Sequence, residues 1–143
     1  MRPATKFLIG LAAVLGLGIL YHGPAGAGER FATQLEAQAN AAVARSGLPG
    51  ISVALHRAPL SRVAIVSGDA DRFQREGMGS LPGISDIVAG VDGIAAVRWA
   101  DEPERSGVPL VLETLLMLLA GYAIGFGLGW LLFGRRKRES FLD

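Results

Sequence analysis

No cysteine occurs in this sequence, which removes disulfides, thiolate metal sites and cysteine nucleophiles from consideration. Histidine is nearly absent as well, with only His22 and His56. Clustered basic charge is missing from the middle of the chain. Residues 21–107 carry eight arginines against ten carboxylates, whereas a nucleic-acid surface needs cations gathered together. There is no GxxxxGK[ST], and no GxGxxG behind a strand, so nothing is laid out to cradle a phosphate. Asp69, Asp71, Asp86 and Asp92 are too scattered for a calcium loop. A Ser–His–Asp arrangement would have to join His56 to one of Ser52, Ser61, Ser67 or Ser80 and to Asp69 or Asp71, and no nucleophile elbow supports it. The chain is therefore not expected to be an enzyme, and neither cofactor nor metal is expected.

What the sequence has is apolar length. Thr114–Phe133, TLLMLLAGYAIGFGLGWLLF, contains no charge. At about 1.5 Å per residue, twenty residues of helix span about 30 Å, the thickness of a bilayer's hydrocarbon core. Arg135, Arg136, Lys137 and Arg138 follow at once and mark that end as cytoplasmic, because basic flanks resist translocation. A second apolar run, Phe7–Leu20, follows a short basic start with Arg2 and Lys6. It reads in two ways: a signal peptide ending at the small-x-small site Ala25-Gly26-Ala27, or a retained anchor with Tyr21 and His22 at headgroup level. Both place residues 28–107 on the non-cytoplasmic side. These two runs account for a hydrophobic content of 50% and a mean hydropathy of +0.38.

Gly121, Gly125 and Gly129 fall four apart on one face of the C-terminal span. Without side chains they let another helix approach closely, and close packing drives association inside a bilayer. Ala12 and Gly16 form a small-x-x-x-small pair in the first run. The partner could be the protein's own first helix, a second copy or another subunit. Glu113 is expected at headgroup level, at the outer end of the span.

Between the runs, Glu29–Arg45 reads as an amphipathic helix, with Phe31, Leu35, Ala39 and Ala42/Val43 at three- and four-residue steps. Gly47, Pro49 and Gly50 end it. Ile51–Arg57 alternates as a half-buried strand, its polar face carrying Ser52, Ala54 and a solvent-facing His56. Ala58-Pro59-Leu60 turns the chain into a second strand, Arg62–Ser67. Asp71-x-x-Gln74 is a capping box. It opens a helical stretch that Gly77, Gly79, Pro82 and Gly83 should divide into pieces near 71–80 and 82–91. Ile94–Trp99 is a third strand, and Asp101–Gly107 an exposed polar linker. The pentapeptide Leu-Pro-Gly-Ile-Ser occurs at 48–52 and again at 81–85, more simply as two similar turns than as a duplication. The expected fold is α+β: a small α-β-β-α-β domain, two helices on a three-stranded sheet, flanked by two transmembrane helices. Its pieces are an N-terminal anchor or signal peptide (1–27), the domain (28–100), the linker (101–107), a transmembrane helix (108–133) and a basic cytoplasmic tail (134–143). So small a core is marginal, and tethering or a partner would help hold it.

Val63-x-Ile65-x-x-Gly68 followed by Val91-x-Gly93-Ile94-x-x-Val97-x-Trp99 resembles the BON domain, a small α/β module of bacterial periplasmic and envelope proteins. The resemblance spans residues 31–100 at most. Trp99 stands where that family usually has asparagine, and Pro82-Gly83 breaks the second helix. The resemblance implies a non-catalytic module that attaches to membranes, envelope polymers or protein partners. The chain is thus expected in a bacterial inner membrane, both termini cytoplasmic and the middle domain periplasmic. Its expected partners are the lipid bilayer and a membrane protein or second copy, with no nucleic acid. The alternative is an accessory subunit of a respiratory, photosynthetic or transport complex, packed through its glycine-faced helix.

Overall fold

The computed structural model describes residues 3–104 and 107–133; the basic run Arg135, Arg136, Lys137 and Arg138 lies outside the described residues. Two apolar helices stand at the ends, α1 (Pro3–His22) and α5 (Leu110–Phe133). Between them come α2 (Ala27–Ala44), β1 (Ser52–Arg57), β2 (Leu60–Ser67), α3 (Arg72–Glu76), β3 (Gly77–Met78), β4 (Leu81–Pro82), α4 (Ile84–Ala89) and β5 (Ala96–Trp99). The architecture is α+β. The main sheet has the order β1-β2-β5, with β2 antiparallel to β1 and parallel to β5.

The core lies between this sheet and α2 and α4. Strand alternation turns Val53 and Leu55 of β1 and Ala64 and Val66 of β2 to one face, where they meet Leu35, Ala39 and Val43 of α2 and Ile84 and Val88 of α4. The helical stripe begins one residue later than its spacing suggests. Ala32 is fully buried and Phe31 is 40% exposed, so Phe31 turns towards the apolar helices instead of the core. Two polar side chains of α2 close the free edge of β1. Asn40 Nδ2 donates to the Val53 carbonyl at 2.7 Å and its Oδ1 accepts from the Val53 amide at 2.9 Å. Glu36 Oε1 accepts from the Leu55 amide at 2.7 Å. An edge strand offers unpaired amides to any neighbouring chain, and here three of those groups are already taken.

The stretch expected as two helical pieces over 71–80 and 82–91 does divide into two helices, α3 and α4, but both are shorter and a hairpin separates them. The capping box forms as expected, Asp71 accepting from the Gln74 amide and Gln74 from the Asp71 amide. The helix then stops at Glu76. Gly77 has φ +79°, a conformation that ends a helix and that β-carbons resist. A Cβ there would collide with the Leu81 carbonyl and the Gly83 amide. The chain instead makes the small β3–β4 hairpin before α4 begins. The repeated pentapeptide is not a structural repeat: Gly50 takes φ +77° and leads into a strand, while Gly83 is extended at φ −80° and leads into a helix.

The linker is exposed over Asp101–Glu104, as its polar composition implies, and it is also tied back to the domain. Two of its carboxylates hold it there. Arg75 Nη1 donates to both carboxylate oxygens of Asp101, at 2.9 and 2.8 Å, and Glu104 Oε1 lies 3.3 Å from His56 Nε2. Gly107 packs on Val63 and Ser61, and Pro109 bridges Ser61. His56, at an irregularity in the β1–β2 register, is 7% exposed and not solvent-facing; its Nδ1 lies 2.9 Å from the Pro59 carbonyl. Trp99 is buried beneath Arg75, whose guanidinium sits 4.2 Å over the ring, and its indole N–H donates to Ser85 Oγ at 3.1 Å. One arginine thus joins the end of β5 to the start of the linker.

Candidate functional site

α1 and α5 pack against each other along most of α1. The seam is set by Gly10 and Gly18, eight residues apart and so about 80° apart around the helix, within one broad face. A Cβ on Gly10 would lie 2.8 Å from the Tyr122 hydroxyl, and one on Gly18 would run into Leu118. Phe7 is held between Tyr122 and Phe126, with ring centroids 5.3 and 5.1 Å away. The Tyr122 hydroxyl donates to the Phe7 carbonyl at 2.8 Å. A hydroxyl in apolar surroundings needs such a partner, and a carbonyl has a second lone pair to offer.

The glycines singled out by spacing lie elsewhere. A Cβ on Gly16, Gly121, Gly125 or Gly129 would meet nothing within 4 Å, and Ala12 is exposed. The Gly121–Gly125–Gly129 strip is open beside the face that α1 covers, and the Ala12–Gly16 pair is open on α1. Both helices are long and apolar enough to cross a membrane, and hardly any of either is buried: 6% of the most apolar stretch of α1 and none of that of α5. The core helix of a water-soluble protein would be largely covered.

The middle domain is tied to α5 by charge. Arg62 Nε donates to Glu113 Oε2 at 2.7 Å, and Arg62 Nη1 to the Gly93 carbonyl at 3.3 Å. At the end of β1, Arg57 pairs with Glu29 and, at 2.7 Å, with Glu36 of α2. The Arg75 hydrogen bond holds the Asp101 carboxyl below its ordinary 3.8. Where α1, α2, β2 and α5 meet, a cavity of about 430 Å³ opens. His22 and Phe31 line it on one side, Arg62, Glu113 and Met117 on the other. His22 fits there because residue 28 is glycine: a Cβ at Gly28 would lie 2.7 Å from the imidazole Cε1.

A second surface lies at the far end of α2, whose eighteen residues run about 27 Å at ~1.5 Å per residue. There Phe73, Met78 and Leu81, each more than 60% exposed, stand beside Leu48 and Ile87. Asp71, Glu76 and Asp86 border them. Sequence spacing did not reveal this patch, because its residues come together only through the hairpin at Gly77–Pro82. Nor did it reveal Gly10 and Gly18, because Val14 stands between them where a four-residue run of small residues would need another. Among the described residues, no three His, Asp or Glu side chains gather to hold a metal ion. In comparisons with known proteins, no family model, no curated protein and no solved structure matches the chain.

Proposed function

We propose that α1 and α5 form a membrane hairpin that presents the middle domain on the non-cytoplasmic face of a bacterial inner membrane, where it acts without catalysis as a BON-like module binding an envelope partner. The observation that carries this reading is α5 itself: twenty-four residues with Glu113 as their one charge, none of them buried. Leaving Met117, Ile124 and Leu132 in water would cost roughly 1.5–3 kcal/mol for each side chain, while lipid removes that cost. The mechanism is positional. The hairpin, the Arg62–Glu113 pair and the anchored linker fix the domain's near end, so the Phe73–Met78–Leu81 patch points away from the anchor. An exposed apolar patch of that kind marks an interaction surface. Strand addition at β1 is disfavoured, since Asn40 and Glu36 already occupy that edge.

The Gly121–Gly125–Gly129 strip favours a second reading, an accessory subunit packed against the core of a larger membrane complex. It remains open after α1 has docked, and close helix approach at small residues holds membrane helices together. Purification in mild detergent separates the two. A free protein or homo-oligomer whose partner binding is lost with Phe73→Asp supports the envelope module. Stoichiometric co-purification with one membrane complex, lost with Gly125→Leu but not with Phe73→Asp, supports the subunit. Recovery of the wild-type chain in a salt-washed soluble fraction would defeat both.

A further inference from the structure

The junction cavity has a polar floor and an apolar mouth. Its two full charges cancel, because Arg62 and Glu113 are locked together at 2.7 Å. The Thr114 hydroxyl is turned back to the Leu110 carbonyl at 2.9 Å. That leaves the His22 imidazole and the Tyr21 hydroxyl as polar groups of the lining able to meet a visitor. Phe31, Leu110 and Met117 supply the apolar walls. On the membrane reading above, on which this inference rests, the cavity lies where hydrocarbon meets headgroups, and exposed Tyr21 and Met117 border its opening towards lipid. Small-molecule pockets run from about 300 to 1,000 Å³, mostly apolar with a few placed polar groups, and about 430 Å³ falls within that range.

From this we infer that the cavity binds an uncharged membrane amphiphile with a compact oxygen-bearing head, of the isoprenoid quinone or isoprenoid alcohol class. A charged headgroup is disfavoured. A charged head would meet a lining whose two charges already cancel, with nothing left to offset its desolvation unless it parted Arg62 from Glu113. Breaking one partner from a half-buried pair leaves the other uncompensated. A carbonyl or hydroxyl oxygen asks for no such exchange: it accepts from the imidazole N–H while its tail lies along Phe31 and Met117. Gly28 belongs to the same device. Any larger residue there would displace the imidazole that forms the floor.

The chain's lack of cysteine makes the test clean. The full chain carrying Ala25→Cys, labelled with bimane beside the cavity, is reconstituted into nanodiscs of palmitoyl-oleoyl phosphatidylcholine; Ser80→Cys in the distant hairpin is the control. Decylubiquinone, farnesol and phosphatidylglycerol are titrated separately. The expected result is a saturable change at position 25 with decylubiquinone or farnesol, none at position 80, and none with phosphatidylglycerol. Which of the two saturates assigns the head as quinone or alcohol. His22→Leu should weaken binding about tenfold, the worth of one well-placed hydrogen bond. Ala27→Phe, which fills the cavity and removes no polar group, should abolish it. A linear response equal at both labels, or saturation by phosphatidylglycerol alone, overturns the inference. Failure of the chain to enter nanodiscs defeats the membrane reading instead, so the two failures are told apart.

Discussion

Ile84 is 1% exposed and Ile124 is 64% exposed. The same side chain is thus placed oppositely in two parts of one chain. In the middle domain apolar groups turn inward and free backbone groups are met by side chains, as Asn40 and Glu36 do for β1. In α1 and α5 the apolar groups turn outward, and the two helices meet along the Gly10–Gly18 seam and the Phe7 clamp. Glycine divides in the same way. In the domain it permits turns, as Gly77 does at φ +79°; in α5 Gly121, Gly125 and Gly129 are helical and uncovered. On the membrane reading proposed above, the two regions face different solvents, one water and the other hydrocarbon.

The comparison can be broken from either side. The largest effect belongs to the domain. Trp99→Ala removes a buried indole, its stacking under Arg75 and its bond to Ser85, and should cost about 3–5 kcal/mol. The full chain's urea-unfolding midpoint in mild detergent would fall accordingly. Ile124→Arg comes next. In lipid an arginine at a helix centre costs about 3 kcal/mol of insertion, so the membrane-inserted fraction should drop while the domain's unfolding midpoint stays put. If Ile124 faced water, the change would be nearly silent in both.

Asn40→Ala should cost about 2 kcal/mol, since it leaves the Val53 amide and carbonyl without their partner at a half-buried edge; the unfolding midpoint again reads it. The smallest effect is acid-dependent. Because Arg75 holds Asp101 below 3.8, the unfolded chain takes up that proton first as pH falls. The stability from the pair is therefore present above about pH 4 and lost as pH drops through the lowered value. Asp101→Asn should leave a shallower acid limb between pH 5 and pH 2 in a series of urea midpoints.

Much of the fold was legible in residue order because local rules carried it. The Asp71–Gln74 capping box, the strands around Val53 and Val66, and the end of α2 near Arg45 each rest on neighbours within a few positions. What stayed hidden depended on contacts distant in sequence. His56 is buried because Glu104 and the linker come back over β1, forty-eight residues later. Trp99, which departs from the BON pattern, is explained by Arg75 and Ser85 from α3 and α4. The helix-packing site shows the same limit. Spacing identified small residues on the faces of α1 and α5, but which face meets the other helix depends on Tyr122 and Leu118, and those select Gly10 and Gly18. The junction cavity was not foreseeable in outline, since four separate elements contribute to it.

The most direct test of two solvents on one chain is site-directed labelling in intact cells and spheroplasts with a membrane-impermeant maleimide, one new cysteine at a time. The account predicts that Ser80→Cys is labelled from outside the inner membrane, that Ile124→Cys resists labelling until detergent is added, and that the chain stays with carbonate-washed membranes. Rapid labelling of Ile124→Cys in intact membranes, or release of the chain by carbonate, would contradict it.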